Sequence, residues 1–223
     1  MKKLISAVLG LSLLGAPVFA AQPNVEPKTA AALGCMKLGD CTEDVHRITT
    51  FAQLRDYYGD HWAGDYEQEI TALIDRLNAA GVEVYVGASR YFLNGQRGIY
   101  YTDNNKLFMN DKYGIAPDSF LQTFRHEAWH AVQDCMAGTI DNSFVAVVFD
   151  ETLVPNNSKI LADVRYQFFA PHAIPWEQEA IWAGSEEGMS AKALEACNAG
   201  NMWEVYEPTP KTKEWLTDKG FIK

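Results

Sequence analysis

The sequence is short of positive charge. It carries 19 lysines and arginines against 29 aspartates and glutamates in 223 residues, a net charge of −10 at neutral pH. A chain of that sign is repelled by phosphate backbones and anionic lipid, which argues against nucleic-acid and membrane-surface partners. Cysteine is scarce, four in all, and none stand as Cys-x-x-Cys, so neither a zinc ribbon nor a redox pair of that type is encoded. Past residue 20 no apolar run reaches the ~18 residues that a membrane-spanning helix needs. Fixed-period repeats and low-complexity tracts are absent, which leaves out solenoids and disordered linkers. What is there is a globular balance, 48% apolar and 12% aromatic, in a chain long enough to build one core without metal or disulfides.

The first twenty residues read as an address. Met1-Lys2-Lys3 is a basic start, Leu4 to Gly15 is apolar apart from Ser and Gly, and Val18-Phe19-Ala20 offers small residues to a signal peptidase. The expectation is a signal peptide over 1–20, a loose lead-in over 21–34 and a single domain over 35–223, exported to the periplasm or beyond. Removing the signal takes two of the 19 cations and no acid, leaving 17 against 29. In an oxidising compartment an even number of cysteines reads as disulfides. Cys35, Cys41, Cys135 and Cys197 allow three pairings, of which Cys35–Cys41 with Cys135–Cys197 is the leading one.

Periodicity gives a first half of helix and sheet and a second half that is mainly helical. Residues 42–58 read as a helix of irregular spacing. Tyr66, Ile70, Leu73, Ile74 and Leu77 fall at helical spacing, and Gly81 stands where such a helix ends. Val82-Glu83-Val84-Tyr85-Val86 alternates and is β-branched, hence a strand. Turn signals at Asn94-Gly95 and Asp103-Asn104-Asn105 separate three further β-like runs, Tyr91–Leu93, Gly98–Thr102 and Lys106–Met109. Pro117-Asp118-Ser119 opens a helix, with Ser119 and Gln122 in capping-box register, and Gly138 ends it. Phe144 to Phe149 fits either a strand or a buried helix. Residues 158–169 read as helical, and Pro175 starts a last major helix toward Cys197, with Gly184 and Gly188 as points of interruption. The fold class is α+β: a small twisted, mostly antiparallel sheet packed on the helix that starts at Pro117, followed by a mainly helical C-terminal half.

That helix contains His126-Glu127-Ala128-Trp129-His130, an H-E-x-x-H. Residues four apart on a helix share a face, so both imidazoles can reach one ion. Glu127, beside them, can take a proton from a metal-bound water. A catalytic zinc needs three protein ligands and an open position. With five His in the chain, chance supplies only about 0.007 such matches. The uncharged flanks (Phe124, Ala131 and Val132) suit a helix at the floor of a cleft.

Thr123-Phe124-Arg125-His126-Glu127-Ala128-Trp129-His130-Ala131-Val132 resembles the active helix of the zincin metallopeptidases. The order of elements is similar too. In that family a small sheet precedes the helix and its edge strand binds the substrate backbone; here Gly98–Thr102 and Lys106–Asn110 come just before it. The resemblance spans roughly residues 82–190 and implies zinc on His126 and His130 with Glu127 as catalytic base. Gln133-Asp134-Cys135-Met136 lacks the Gly and third His of the metzincin extension, so the resemblance points to the Glu-type zincins, whose third ligand stands on a later helix. In Pro175-Trp176-Glu177-Gln178-Glu179-Ala180 the Glu-x-x-Ala register of several such families selects Glu177, while the thermolysin-like register selects Glu179. Two residues apart on a helix diverge by about 200°, so both cannot bind one ion. Glu187 is a third candidate. Ile181 and Ala183 stand where the family usually carries a further acid, so no partner for the His ligands is marked there. Tyr166, Arg165 and His172 are candidate oxyanion donors, while His46 and His61 are isolated.

The expected function is an exported zinc-dependent peptidase acting on peptide or protein substrates, without nucleic-acid partners and without a membrane partner once the signal is removed. A zinc-binding module of the same fold without turnover is one alternative, and an amide hydrolase of cell-wall peptides is another. Glu127 favours turnover, because a pure binding site needs no base. A straight helix supplying Glu177 would carry Cys197 about 30 Å away from it, too far for a bridge to Cys135. A break near Gly184-Ser185 is therefore expected, with Ser185 capping a second helix that folds back.

Overall fold

The structure is a computed structural model and describes residues 30–41, 43–59, 62, 64, 66–141 and 143–223. The expected signal peptide, residues 21–29 of the lead-in and His61 lie outside the described residues. The elements are α1 (Ala30–Leu38), β1 (Val45–Ile48), α2 (Phe51–Tyr58), α3 (Tyr66–Ala79), β2 (Glu83–Gly87), β3 (Gly98–Tyr101), β4 (Lys106–Asn110), α4 (Pro117–Met136), α5 (Asn156–Tyr166), α6 (Ile174–Ser185), α7 (Met189–Asn198), α8 (Met202–Val205) and α9 (Pro210–Asp218). The fold is α+β.

The strands lie in the order β1-β2-β4-β3. β2 pairs antiparallel with β1 and parallel with β4, and β4 pairs antiparallel with β3. The sheet is thus mixed, with one parallel pairing that arises because the β3–β4 hairpin folds back and inserts its second strand beside β2. That leaves β3 as an edge. Side chains alternate across a strand, so Val84, Val86, Leu107 and Met109 enter the main core with Leu73 and Leu77 of α3 and Phe124 and Ala128 of α4. Phe108 points to the other face and packs with Met36, Tyr91 and Phe92. The sheet is therefore covered on both sides.

Several local readings are corrected. α1 begins inside the stretch read as a loose lead-in. Residues 42–58 hold a strand before the helix, because Val45–Ile48 pairs with Val84–Gly87. Tyr91 closes a 3₁₀ turn rather than opening a strand. The capping box of Ser119 does not form: Pro117 takes the first helical position after Ala116, which puts Ser119 inside the first turn, where its Oγ accepts from Arg97 at 3.2 Å. Phe144 to Phe149 is neither helix nor strand.

Both leading disulfides form, Cys35–Cys41 and Cys135–Cys197, the latter with Cα atoms 6.1 Å apart. The break they require is present between α6 and α7, where Gly188 takes φ +72°, a conformation that costs an L side chain and suits glycine. Ser185 does not cap α7. Its Oγ donates to the Trp182 carbonyl at 2.7 Å and closes α6 instead. Gly184 remains helical and has another use: a β-carbon there would stand 2.9 Å from the Gln122 carbonyl oxygen and 3.4 Å from His126 Cβ. The missing side chain lets α6 lie close against α4. No helix among the described residues is long and apolar enough to cross a membrane.

Candidate metal centre

The close approach of α4 and α6 sets the site. His126 and His130 project from one face of α4, and Glu177 meets them from the first turn of α6. His126 Nε2 lies 3.3 Å from Glu177 Oε2, and His130 Nε2 lies 3.7 Å from Glu177 Oε1. One ligand atom from each of the three residues falls within 4.8 Å of the others. Four ligands held about 2.0–2.1 Å from a tetrahedral zinc stand roughly 3.3 Å from one another, close to the two His–Glu177 distances. Glu177 Oε2 is buried without a hydrogen-bond partner, which is costly unless something else satisfies it. Burial would raise the Glu177 carboxyl, but contacts with His126 and His130 and the Tyr166 hydroxyl outweigh it and hold the group down to about 2. Two imidazoles and an ionised carboxylate make a donor set suited to a divalent metal such as zinc.

Glu127 sits beside this cluster and not in it. It is 7% exposed and lies under the edge strand, against Gly98. Burial pushes its carboxyl up to about 7, with the Glu177 charge adding to the rise and His130 opposing it. Gly98 makes room for it: a β-carbon at Gly98 would stand 2.7 Å from Glu127 Cγ. The site opens into a cleft of about 760 Å³ whose walls include Gly98, Thr123, Leu161, Tyr166 and Phe169.

The other candidate acids fall elsewhere. Glu179 is 1% exposed and points into the protein. Its carboxylate accepts from Val148 N at 2.9 Å, Phe149 N at 2.6 Å, Gln133 Nε2 at 2.8 Å and Trp129 Nε1 at 3.3 Å. Glu187 is exposed in the α6–α7 link. Among the proposed oxyanion donors, Tyr166 and Arg165 line the cleft and His172 is exposed outside it. His46 is exposed on β1, its ring 5.1 Å from that of Tyr57.

Three supports were not read from the sequence. Gln133 meets His130 Nδ1 through Oε1 at 2.9 Å. Gly98 and Gly184 supply the close approaches already described. Glu69 of α3 pairs through both carboxylate oxygens with Arg125, the residue before His126, and also accepts from Gly188 N at 2.8 Å. That half-buried pair ties α3, α4 and the α6–α7 turn together behind the site. Compared with models of protein families, with curated proteins and with solved structures, the chain matches none.

Proposed function

We propose that the chain is an exported zinc-dependent peptidase of the Glu-type zincin kind, with zinc on His126, His130 and Glu177. The observation that carries this reading is the meeting of two imidazoles and an ionised carboxylate at near-tetrahedral separations, with a second buried carboxylate beside them. Zinc bound there supplies a water of lowered pKa and polarises a carbonyl. Glu127, kept near neutral pKa by burial, takes a proton from the attacking water and passes it to the leaving amine. Tyr166, which lines the cleft with Glu177, donates toward the oxyanion. β3, as an edge strand, pairs its main chain with an extended peptide. The two disulfides support export, since such bonds persist in oxidising compartments.

A zinc-binding module would use the three ligands and have no need of Glu127. The test is cleavage of a mixed peptide pool, including cell-wall peptides, by wild type and Glu127→Gln. The peptidase reading expects turnover in wild type and a loss of about 10²-fold or more in the variant, with zinc content unchanged in both. Zinc without cleavage in wild type would favour the binding module, and no zinc at all would remove both readings.

A further inference from the structure

We propose that Gln133, braced by Glu179, is the positioning residue that sets the tautomer of His130 and joins it to the Glu177 turn. The inference rests on the reading of His130 as a metal ligand, but its geometry stands in the metal-free protein. Gln133 is fully buried and lies three residues after His130, one turn along the same face of α4. Its Nε2 donates to the Trp176 carbonyl at 3.0 Å and to Glu179 Oε2 at 2.8 Å. A main-chain carbonyl can only accept, and the Glu179 carboxylate is occupied as an acceptor by the Val148 and Phe149 amides and the Trp129 indole. The amide of Gln133 therefore has one orientation that satisfies both neighbours, with Nε2 toward α6 and Oε1 toward His130.

Oε1 can only accept, so its 2.9 Å contact with His130 Nδ1 requires the proton to be on Nδ1. In the neutral ring that leaves Nε2, the nitrogen facing Glu177, with its lone pair free. Free histidine favours the opposite tautomer, with the proton on Nε2, so the arrangement is imposed and not inherited. A ligating imidazole generally donates its other N–H to a partner that fixes ring and tautomer, and here an amide does what a carboxylate commonly does. Because the same amide holds Trp176, the residue before Glu177, one side chain sets the spacing of two ligands on two helices.

The test is nitrogen NMR of His130 in the metal-free protein at about pH 8, above the ordinary imidazole range, together with zinc titration of wild type and Gln133→Met. The expected wild-type spectrum has Nδ1 protonated and Nε2 bare. In Gln133→Met, of similar shape but without the amide, the expected result is a mixed tautomer and zinc binding weakened about 10–100-fold. A wild-type spectrum with the proton on Nε2 overturns the proposal, and this measurement needs no variant to fold. Unchanged tautomer and zinc affinity in a folded Gln133→Met overturn it as well. A wild-type protein that shows the Nδ1 proton and takes up no zinc would sustain the positioning role of Gln133 while removing the peptidase reading.

Discussion

Gly98 and Glu127 share one volume: a β-carbon on the glycine would stand 2.7 Å from Glu127 Cγ and 3.0 Å from its Oε1. The edge strand lies directly over the buried carboxylate. The position of the proposed base is thus fixed from above by a residue with no side chain.

Gly98→Ala should therefore act on Glu127 and not on the metal ligands. A misplacement of about 1 Å near the reacting atoms can cost about 10²-fold in rate. The expected outcome is a loss of kcat of that order with stoichiometric zinc retained, measured by peptide turnover and metal analysis on the same sample.

Glu177 and Glu179 should separate cleanly. Glu177→Gln should lose zinc on mild dialysis. Glu179→Gln should keep stoichiometric zinc at saturating metal but lower stability, because an amide set among N–H donors leaves some of them unpaired, at about 1–3 kcal/mol for a buried group. Metal content and denaturant midpoints of the two variants check this; zinc lost from Glu179→Gln alone would reverse the assignment.

The H-E-x-x-H and, apart from the run at Tyr91–Leu93 and the Ser119 cap, the alternation of helix and strand from Tyr66 to Met136 were legible because both are local patterns. β1 was not: only two of its residues, Val45 and Ile48, are apolar, and its identity comes from pairing with β2 some 39 residues further on. The third ligand stayed open among Glu177, Glu179 and Glu187 for a similar reason. Helical spacing shows that Glu177 and Glu179 diverge, but which one turns to the histidines depends on how α6 crosses α4, and Gly184 controls that contact. Gln133 could have been marked by its place one turn after His130, yet its orientation depends on Trp176 and Glu179, more than forty residues away. The stretch from Phe144 to Phe149 carries no period because its amides are not paired in a strand: Val148 and Phe149 donate to the Glu179 side chain and Ala146 to the Gln133 carbonyl.

Asp134 makes stability depend on pH. It is fully buried, accepts from the Tyr100 hydroxyl at 2.8 Å and has its other oxygen unpaired. Burial pushes its carboxyl from an ordinary 3.8 up to about 8, with the Tyr100 bond opposing. Folding therefore holds a proton that the unfolded chain releases, so the stabilisation is complete below the unfolded value and is lost as pH rises through the folded one. The metal-free protein should lose stability between about pH 4 and pH 8, and Asp134→Asn should flatten that decline. Thermal midpoints across this range are the check, with about 2–4 °C expected for each kcal/mol in a chain of this size.

The disulfides give a further expectation. Cys135–Cys197 closes a separation of 62 residues and Cys35–Cys41 one of 6, worth about 4 and about 2 kcal/mol in the chain-entropy account. Protein recovered after export should show no free thiols under denaturing conditions, and reduction should lower its unfolding midpoint chiefly through the longer bridge. Four free thiols in exported material would contradict both bridges.

The central claim is that His126, His130 and Glu177 hold one metal ion, and a crystal grown with equimolar zinc tests it most directly. Anomalous scattering recorded on both sides of the zinc absorption edge should show a single peak about 2.0–2.2 Å from His126 Nε2, His130 Nε2 and a Glu177 oxygen, with its open side toward Glu127 and the cleft. A peak coordinated by Glu179, a peak away from α4, or no peak at these three side chains would contradict the account.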